Sequence, residues 1–356
     1  MKHPRTIDDI SAPWMTEVLH GAGLLQLATV REVNVRAIGE GVGFLSGRAR
    51  VTMSYDQAEP GVPATVVVKL PACIQAGIDF AESTHAYERE IRFYREVAPH
   101  TPIRVPRMFA TIMEPAERVF ILVMEDLNGL TAGDQVIGMS RAEVLAAVRT
   151  IAPLHAQWWN GDRLGALPWV PPVEKQLKML SLTPESIRKA WPLFLETFGE
   201  SLPQGGRALG DRIVRRLDSI LAEFVKGTRT LVHFDYRADN LFIDDLTRKA
   251  PIVVVDWQLT MWGLGAYDVA RLAGGSLSPA ERGGHHEEII ECWRQGLTEG
   301  GVTGYSREDA WHDYRLSAIM AMLNPVLVHS MFKTGGRRGT ALGATMTARF
   351  FRDLVE

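Results

Sequence analysis

The spacing of apolar and polar residues changes along the chain and separates a β-rich part from a helical part. In the β-rich part, Ser11 is placed to begin a short helix. Segments rich in β-branched residues follow it at residues 50–55, 65–70 and 119–124. One helix is predicted among these strands, at about residues 83–97, because Tyr87, Ile91 and Tyr94 recur at helical spacing.

The remainder of the chain has mainly helical patterns. Ser140 and Glu143 form a capping box ahead of a long apolar stripe, and Ser278 with Glu281 forms a second one. A further stripe of apolar residues between 213 and 224 predicts another helix. A β-rich patch, from about residue 231 to 257, interrupts this half.

These patterns predict an α+β protein with two lobes. The small lobe, residues 1–125, has a leading helix and an antiparallel sheet with one inserted helix. Residues 126–129 form a short hinge, and residues 130–356 form a larger helical lobe.

Composition and charge exclude several classes of protein. The 356 residues are 46% hydrophobic and 23% charged, which is an ordinary globular balance. A formal charge of -3 gives no bulk attraction for nucleic acid or anionic lipid. We expect a cytoplasmic protein, because two cysteines make no disulfide framework and Asp8 and Asp9 stand where a signal peptide needs apolar residues.

The most informative stretch runs from Leu231 to Gln258. Asp235 and Asn240 lie in a polar loop that leads directly into an apolar strand, and a second apolar strand ends at Asp256. If the two strands pair as a hairpin, Asp256 returns beside Asn240. Two carboxylates and an amide on one rim are oxygen ligands, which suit Mg²⁺ better than Zn²⁺.

Phosphoryl transfer needs such an arrangement. One Asp accepts the proton of the substrate hydroxyl, while an Asn and another Asp hold Mg²⁺ against the phosphates. The spacing of His233, Asp235 and Asn240, followed by Asp256, matches the catalytic loop of protein kinases. The alternative is that each acid caps a turn or ends a strand, and for any one of them alone that alternative is favoured.

The block from His233 to Gln258 resembles the aminoglycoside phosphotransferase and choline-kinase-like superfamily of small-molecule kinases. Gln258 and the stretches 122–127, 133–135 and 154–158 are most similar to its ecdysteroid-kinase-like branch. The resemblance covers about residues 39–272 and implies a bilobal, protein-kinase-like fold that uses ATP and Mg²⁺.

The resemblance also implies a phosphate clamp in the small lobe. Lys69 would contact the α- and β-phosphates, and Glu90 would be its ion-pair partner, with Glu88 as the competing candidate. The glycine loop at residues 39–43, with Gly41 and Gly43, would cover the phosphates, and Ser46 is a further candidate donor. The backbone of Met124, Glu125 and Asp126 would bind adenine.

Three further residues are expected to support the catalytic loop. His233 is expected to orient the loop by hydrogen bonding to its backbone. Asp268 matches a structural Asp of the superfamily. Arg237 is left with two interpretations, since it either approaches the transferred phosphate or braces Asp268.

The sequence therefore predicts a kinase that phosphorylates a hydroxyl of a small molecule, with Asp235 as base or orienting group and Asn240 and Asp256 as Mg²⁺ ligands. A protein Ser/Thr kinase and a nucleotide-binding regulatory protein without turnover are the alternatives. A polycationic acceptor is not expected, since the helical lobe shows no acidic run. An apolar or steroid-like alcohol, or a hydroxy-acyl compound, fits the aromatic content better. Trp158, Trp159, Trp169 and Trp191 form either an apolar acceptor pocket or ordinary core.

Overall fold

The structure is a computed structural model that describes residues 2–39, 46–72, 74–160, 165–277, 281, 285–332 and 337–355. The chain divides into two compact units. Unit 1 comprises residues 1–101 and 105–130, and unit 2 comprises residues 102–104 and 131–356. The antiparallel sheet of unit 1 and the mostly helical unit 2 confirm the predicted α+β, protein-kinase-like fold.

Unit 1 contains a five-stranded antiparallel sheet in the order β1-β2-β3-β5-β4. Its strands are β1 (Val30–Ala37), β2 (Ser46–Tyr55), β3 (Thr65–Pro71), β4 (Met108–Glu114) and β5 (Val119–Glu125). Helix α1 (Ala12–Gly21) is capped by the Ser11 side chain and buries Trp14, Met15 and Leu19. The core of this unit is apolar and lies where α1 packs on the sheet.

The prediction of a single helix at residues 83–97 is wrong, because the helical segment begins earlier and is broken. The segment contains two helices, α2 (Gln75–Thr84) and α3 (Ala86–Arg92), followed by a wider turn of π type at Phe93–Val97. The break lies at His85, whose φ of 53° is left-handed. A left-handed residue that is neither Gly nor Asn gives little signal in a sequence. The helical spacing of apolar residues therefore predicts one helix across this position.

Unit 2 is mostly helical. Its helices are α4 (Arg141–Gln157), α5 (Val173–Met179), α6 (Pro184–Phe198), α7 (Gly206–Arg215), α8 (Leu217–Phe224), α9 (Ala266–Ser276), α10 (His286–Glu299), α11 (Arg307–Phe332) and α12 (Arg337–Val355). The capping box of Ser140 and Glu143 begins α4, as predicted. The stripe at residues 213–224 belongs to two helices that meet at Arg216, and Ser278 of the second predicted capping box lies outside the described residues.

Short strands of unit 2 carry the loops that matter for function. They are β6 (Thr131–Ala132), β7 (Thr230–Val232), β8 (Leu241–Ile243), β9 (Ile252–Val254) and β10 (Met261–Gly263). β6, β8 and β9 form one sheet, and β7 pairs with β10. None of the helices in the described part of the chain combines the length and apolar character that crossing a bilayer requires.

Candidate active site

The candidate catalytic loop, residues 233–240, runs between β7 and β8. β8 pairs antiparallel with β9, which confirms the predicted hairpin. The backbone N–H of Val255 donates to the carbonyl oxygen of Asn240 over 3.0 Å. Because Val255 directly precedes Asp256, this bond brings the backbone of Asp256 beside Asn240.

The carboxylate of Asp235 is held by three side chains. Its Oδ2 accepts hydrogen bonds from Nε of Arg237 and Nδ2 of Asn240, both at 3.0 Å. Its Oδ1 accepts one from Nη2 of Arg271 at 3.1 Å. Burial alone would raise the pKa of Asp235, but the guanidiniums of Arg237 and Arg271 outweigh it and lower the pKa to about 2. Asp235 is therefore a fixed anion.

His233 is fully buried and both of its ring nitrogens are bonded. Nδ1 accepts a hydrogen bond from the backbone N–H of Asp235 at 3.2 Å. Nε2 lies 2.9 Å from the carbonyl oxygen of Val255, so it carries the proton and donates. The ring thus links the loop to the segment before Asp256, and neither nitrogen remains to act as a base.

Asp268 on α9 anchors the start of the same loop. It is fully buried and accepts from the backbone N–H groups of His233 and Phe234, both at 2.8 Å. Nε2 of His155 lies 3.2 Å from the same carboxylate. Since Nδ1 of His155 accepts from Trp293 at 3.0 Å, the proton on Nε2 points to Asp268.

Two left-handed residues flank the site. Phe234 has a φ of 71° and Asp256 a φ of 68°. For a residue other than Gly, such a conformation costs about 1–3 kcal/mol and is found mainly where the surroundings hold it in place. The hydrogen bond to Asp268 and the stacking of the Phe234 ring on Tyr267, at 4.6 Å, hold the first of these residues.

One of the two interpretations of Arg237 is wrong. Arg237 does not brace Asp268; it forms ion pairs with Asp235 and Asp239. Asp268 instead receives the two backbone donors and His155. The spacing explains the result, because Arg237 lies two residues from each of the acids with which it pairs.

The far end of the loop is held by a network that the sequence did not reveal. Oε1 of Gln135 accepts from the backbone N–H of Ala238 at 2.9 Å and from the Ser276 hydroxyl at 3.2 Å. Nε2 of Gln135 donates to the carbonyl of Gly275 at 2.6 Å. Arg349 on α12 donates to the carbonyls of Gln135 and Gly275, so α12 supports the loop indirectly.

Asn240 and Asp256 have a donor set that fits Mg²⁺. The amide nitrogen of Asn240 is used by Asp235, and its Oδ1 accepts no hydrogen bond from the described residues. That oxygen and the half-buried carboxylate of Asp256 are hard ligands of the type Mg²⁺ prefers. Among the described residues no group of three His, Cys, Asp or Glu side chains could hold a metal, so a cation at this place would need substrate oxygens in addition to this pair.

In unit 1, Lys69 and Glu90 form an ion pair. Nζ of Lys69 lies 2.8 Å from Oε1 and 2.7 Å from Oε2 of Glu90, and both side chains are buried. Glu88, the competing candidate, pairs with Arg92. The geometry therefore favours Glu90. Burial makes the pair costly to break, since an uncompensated charge would remain.

The other predicted nucleotide contacts are only partly described. Met124 and Glu125 end β5, and the side chain of the following Asp126 forms an ion pair with Arg50 at 2.7 Å. Their backbone contact with adenine stays a prediction. Gly41 and Gly43 lie outside the described residues, as does most of the glycine loop, whereas Ser46 begins β2.

A protein-family model decides the assignment. The model described as the phosphotransferase enzyme family, APH, matches residues 63–311. The chain belongs to this family. The matched region contains Lys69, Glu90 and the entire loop from His233 to Asp256, and it confirms the resemblance at the level of the superfamily.

Solved structures of small-molecule kinases have the same fold as this phosphotransferase. Choline kinase from Cryptosporidium parvum has a TM-score of 0.57 at 9% identity, covering 91% of this chain and 90% of that one. The GDP complex of aminoglycoside 2'-phosphotransferase-IIIa has a TM-score of 0.57 at 13% identity, covering 96% and 98%. Ethanolamine kinase from Plasmodium vivax has a TM-score of 0.50 at 13% identity, covering 90% and 84%.

A sequence relative is much longer than this phosphotransferase. The protein named "Probable acyl-CoA dehydrogenase IBR3" from Arabidopsis thaliana is 26% identical over 196 residues. The match covers 53% of this chain but only 23% of the relative.

Three of the four tryptophans considered as a pocket pack on other aromatic rings. Trp158 packs on Trp262, Trp159 on Trp293 and Tyr305, and Trp191 on Phe194 and Phe351. Trp158 and Trp191 are buried, so for these two the structure favours the core interpretation.

The sequence analysis did not identify Arg271, although its guanidinium forms an ion pair with Asp235. It lies one helical turn after Asp268 on α9, and that i, i+3 spacing was the available signal.

Gly133 is expected to tolerate no side chain. A Cβ at this position would lie 2.2 Å from the carbonyl oxygen of Ala238, in the catalytic loop. Because that neighbour is backbone, we expect Gly133→Ala to destabilise the phosphotransferase by about 1–3 kcal/mol and to lower kcat roughly 100-fold through displacement of the loop. Urea denaturation and steady-state kinetics measure the two effects.

The matched control is Gly199→Ala, because a Cβ at Gly199 meets no atom within 4 Å and the backbone there is helical. We expect this control to retain wild-type stability and turnover. If the two variants behave alike, the close approach of Gly133 to Ala238 has no functional importance.

Proposed function

We propose that this phosphotransferase transfers the γ-phosphate of ATP to a hydroxyl group of a small molecule. The hydrogen bonding of Asp235 carries the proposal. From the described residues its Oδ2 accepts two hydrogen bonds, whereas its Oδ1 accepts one, from Arg271. Since a carboxylate oxygen offers about two lone-pair sites, Oδ1 retains one position for the hydroxyl of an acceptor.

The surroundings of Asp235 define its role in the reaction. A carboxylate bound by two guanidiniums is a weak base, so Asp235 orients the hydroxyl and takes its proton late, as the new P–O bond forms. This order suits phosphoryl transfer, in which the transition state is loose and positioning supplies most of the rate. Arg237, Arg271 and Asn240 fix the carboxylate while this happens.

The family resemblance assigns the roles proposed for the nucleotide-binding residues. The ammonium of Lys69, held by Glu90, would contact the α- and β-phosphates. Asn240 and Asp256 would hold Mg²⁺, which neutralises phosphate charge when it is bound. The backbone of Met124 to Asp126 would bind the adenine, and Gly41 and Gly43 would cover the phosphates.

The acceptor is proposed to be a small molecule rather than a protein side chain. Solved structures with the same fold are named choline kinase, ethanolamine kinase and aminoglycoside 2'-phosphotransferase, and each of these names refers to a small molecule. The longer relative is named as a probable acyl-CoA dehydrogenase, so hydroxylated acyl compounds are a further class of acceptor to test.

The decisive experiment is a screen of a metabolite panel for ADP formation by the purified protein with MgATP. The panel should contain amino alcohols, aminoglycosides, sterols, hydroxy acids and hydroxyacyl thioesters, with ³¹P NMR to identify the phosphorylated product. We expect acceptor-dependent ADP release that is lost in an Asp256→Asn variant. If MgATP binds but no acceptor is phosphorylated, the nucleotide-binding regulatory protein becomes the better explanation.

A further inference from the structure

Arg271 has an unusual combination of burial and unused hydrogen-bonding capacity. The residue is 5% exposed. Its Nη2 binds Asp235, but Nε and Nη1 are buried and have no hydrogen-bond partner among the residues that the structure describes. Buried donors without acceptors cost stability, and native proteins keep few of them.

The contact of Arg271 with α12 does not satisfy these donors. Its guanidinium carbon lies 5.6 Å from the centre of the Phe350 ring. Such a cation–π contact uses the positive charge but consumes no N–H group as a conventional hydrogen bond would.

The charges around Asp235 form an alternating series that ends on Arg271. Asp239 pairs with Arg237, Arg237 also pairs with Asp235, and Asp235 pairs with Arg271. Each of the inner members has two oppositely charged neighbours, whereas within the described part of the chain Arg271 pairs with Asp235 alone. The end of the series is therefore a guanidinium with incomplete neutralisation and spare donors.

The position of Arg271 places these features beside the proposed acceptor hydroxyl. Nη2 of Arg271 and that hydroxyl would share Oδ1 of Asp235, the oxygen with a remaining lone-pair site. The side chain of Asp235 is 26% exposed, so its carboxylate can be reached from solvent. A substituent next to the hydroxyl of the acceptor would then lie against the guanidinium.

We propose that Arg271 recognises an anionic oxygen group, a carboxylate or a phosphate, close to the hydroxyl that is phosphorylated. This inference rests on the proposed function and adds the substrate class. A guanidinium binds such groups in preference to neutral ones because charge-assisted hydrogen bonds are shorter and stronger. A cationic acceptor is repelled at the same position, which disfavours polyamine antibiotics as substrates.

The first test compares small acceptor alcohols that carry an anionic, a neutral or a cationic group near the hydroxyl. The probes are 3-hydroxybutyrate, glycerol 3-phosphate, neutral 1,3-butanediol and cationic 3-amino-1-propanol, each with MgATP. We expect kcat/KM for at least one anionic probe to exceed kcat/KM for the diol by about 10–100-fold. A hydrogen bond to a charged group typically contributes a factor of this size. Arg271→Met should lower kcat for every probe because it releases one side of Asp235, so the readout is the ratio of kcat/KM for an anionic probe to kcat/KM for the diol. Arg271→Met should abolish this ratio's excess over one, and Arg271→Lys should restore part of it. Equal use of all four probes overturns the proposal.

A second measurement does not depend on turnover or on the variant's folding. The ¹H–¹⁵Nε signal of Arg271 in the wild-type protein, assigned by its absence in Arg271→Lys, is followed while 3-hydroxybutyrate, inorganic phosphate or 1,3-butanediol is added. We expect a saturable shift with one of the anions and none with the diol. A signal that no anion shifts, or that the diol shifts equally, refutes the anion site.

The two hypotheses can fail separately. If all four probes are phosphorylated with similar kcat/KM and Arg271→Met lowers kcat equally for each of them, the phosphotransferase function stands and the anion site does not, because Arg271 then acts only by fixing Asp235. If no acceptor yields ADP while the Nε signal of Arg271 responds to an anion, the proposed function fails and the anion site remains. Arg294→Met is the control, because Arg294 pairs with Glu291 near the surface.

Discussion

Replacement of Asp235 by Asn is expected to leave nucleotide binding intact and to lower kcat by about 10²–10⁴-fold, the usual contribution of a group that handles the proton. The amide has nearly the same size, but only one of its two terminal atoms can accept a hydrogen bond. The other atom would face one of the donors that now bind the carboxylate, namely Arg237, Asn240 or Arg271. The hydroxyl would then lose both its orientation and its proton acceptor.

The measurement is ADP release under saturating acceptor, together with a calorimetric titration of MgATP. Asp218→Asn is a suitable control, since Asp218 pairs with Arg188 on an exposed surface. We expect the control to match the wild type in both assays. Turnover of Asp235→Asn within a few-fold of the control refutes the role assigned to Asp235.

The parts of this molecule that could be predicted from sequence depend on local or strongly patterned signals. The loop from His233 to Asn240 could be recognised because its polar residues have fixed spacing and are followed by an apolar strand. The hairpin that returns Asp256 was predictable because two short apolar strands with a turn between them have few other ways to satisfy their backbone groups. The capping box at Ser140 is likewise encoded within four residues.

The errors come from structure that only tertiary packing determines. His85 adopts a left-handed conformation that its residue type does not indicate. The sequence therefore predicts one helix where the structure has two. The partners of Arg237 and of Gln135 depend on which side chains the folded loop brings within hydrogen-bonding distance. Gln135 and Ala238 are 103 residues apart in sequence, and nothing local connects them.

The candidate site contains residues that motif reasoning can find and residues that hold them in place. Asp235, Asn240 and Asp256 belong to the first group because of their spacing. Asp268 on α9 and Gln135 after β6 bind the backbone of the loop, and Arg349 on α12 binds the carbonyl of Gln135. Such support is needed because a displacement of about 1 Å at a catalytic group can cost roughly 100-fold in rate.

Loss of the Asp268 carboxylate should have the largest effect on stability. Asp268→Ala removes the acceptor for the buried N–H groups of His233 and Phe234 and for Nε2 of His155. Each buried donor without a partner costs about 1–3 kcal/mol. Allowing for partial relaxation, we expect the free energy of unfolding to fall by about 3–5 kcal/mol, a range typical of breaking a buried charged network.

Urea denaturation followed by tryptophan fluorescence measures this change, because all tryptophans except Trp14 lie in unit 2. Asp218→Ala, which breaks an exposed ion pair, should lower stability by less than about 1 kcal/mol. A second variant, Asp268→Asn, retains one acceptor oxygen and should fall between the two. If Asp268→Ala unfolds at the same urea concentration as Asp218→Ala, the three hydrogen bonds do not hold the loop. The left-handed conformation of Phe234 must then be stabilised by its stacking on Tyr267 alone.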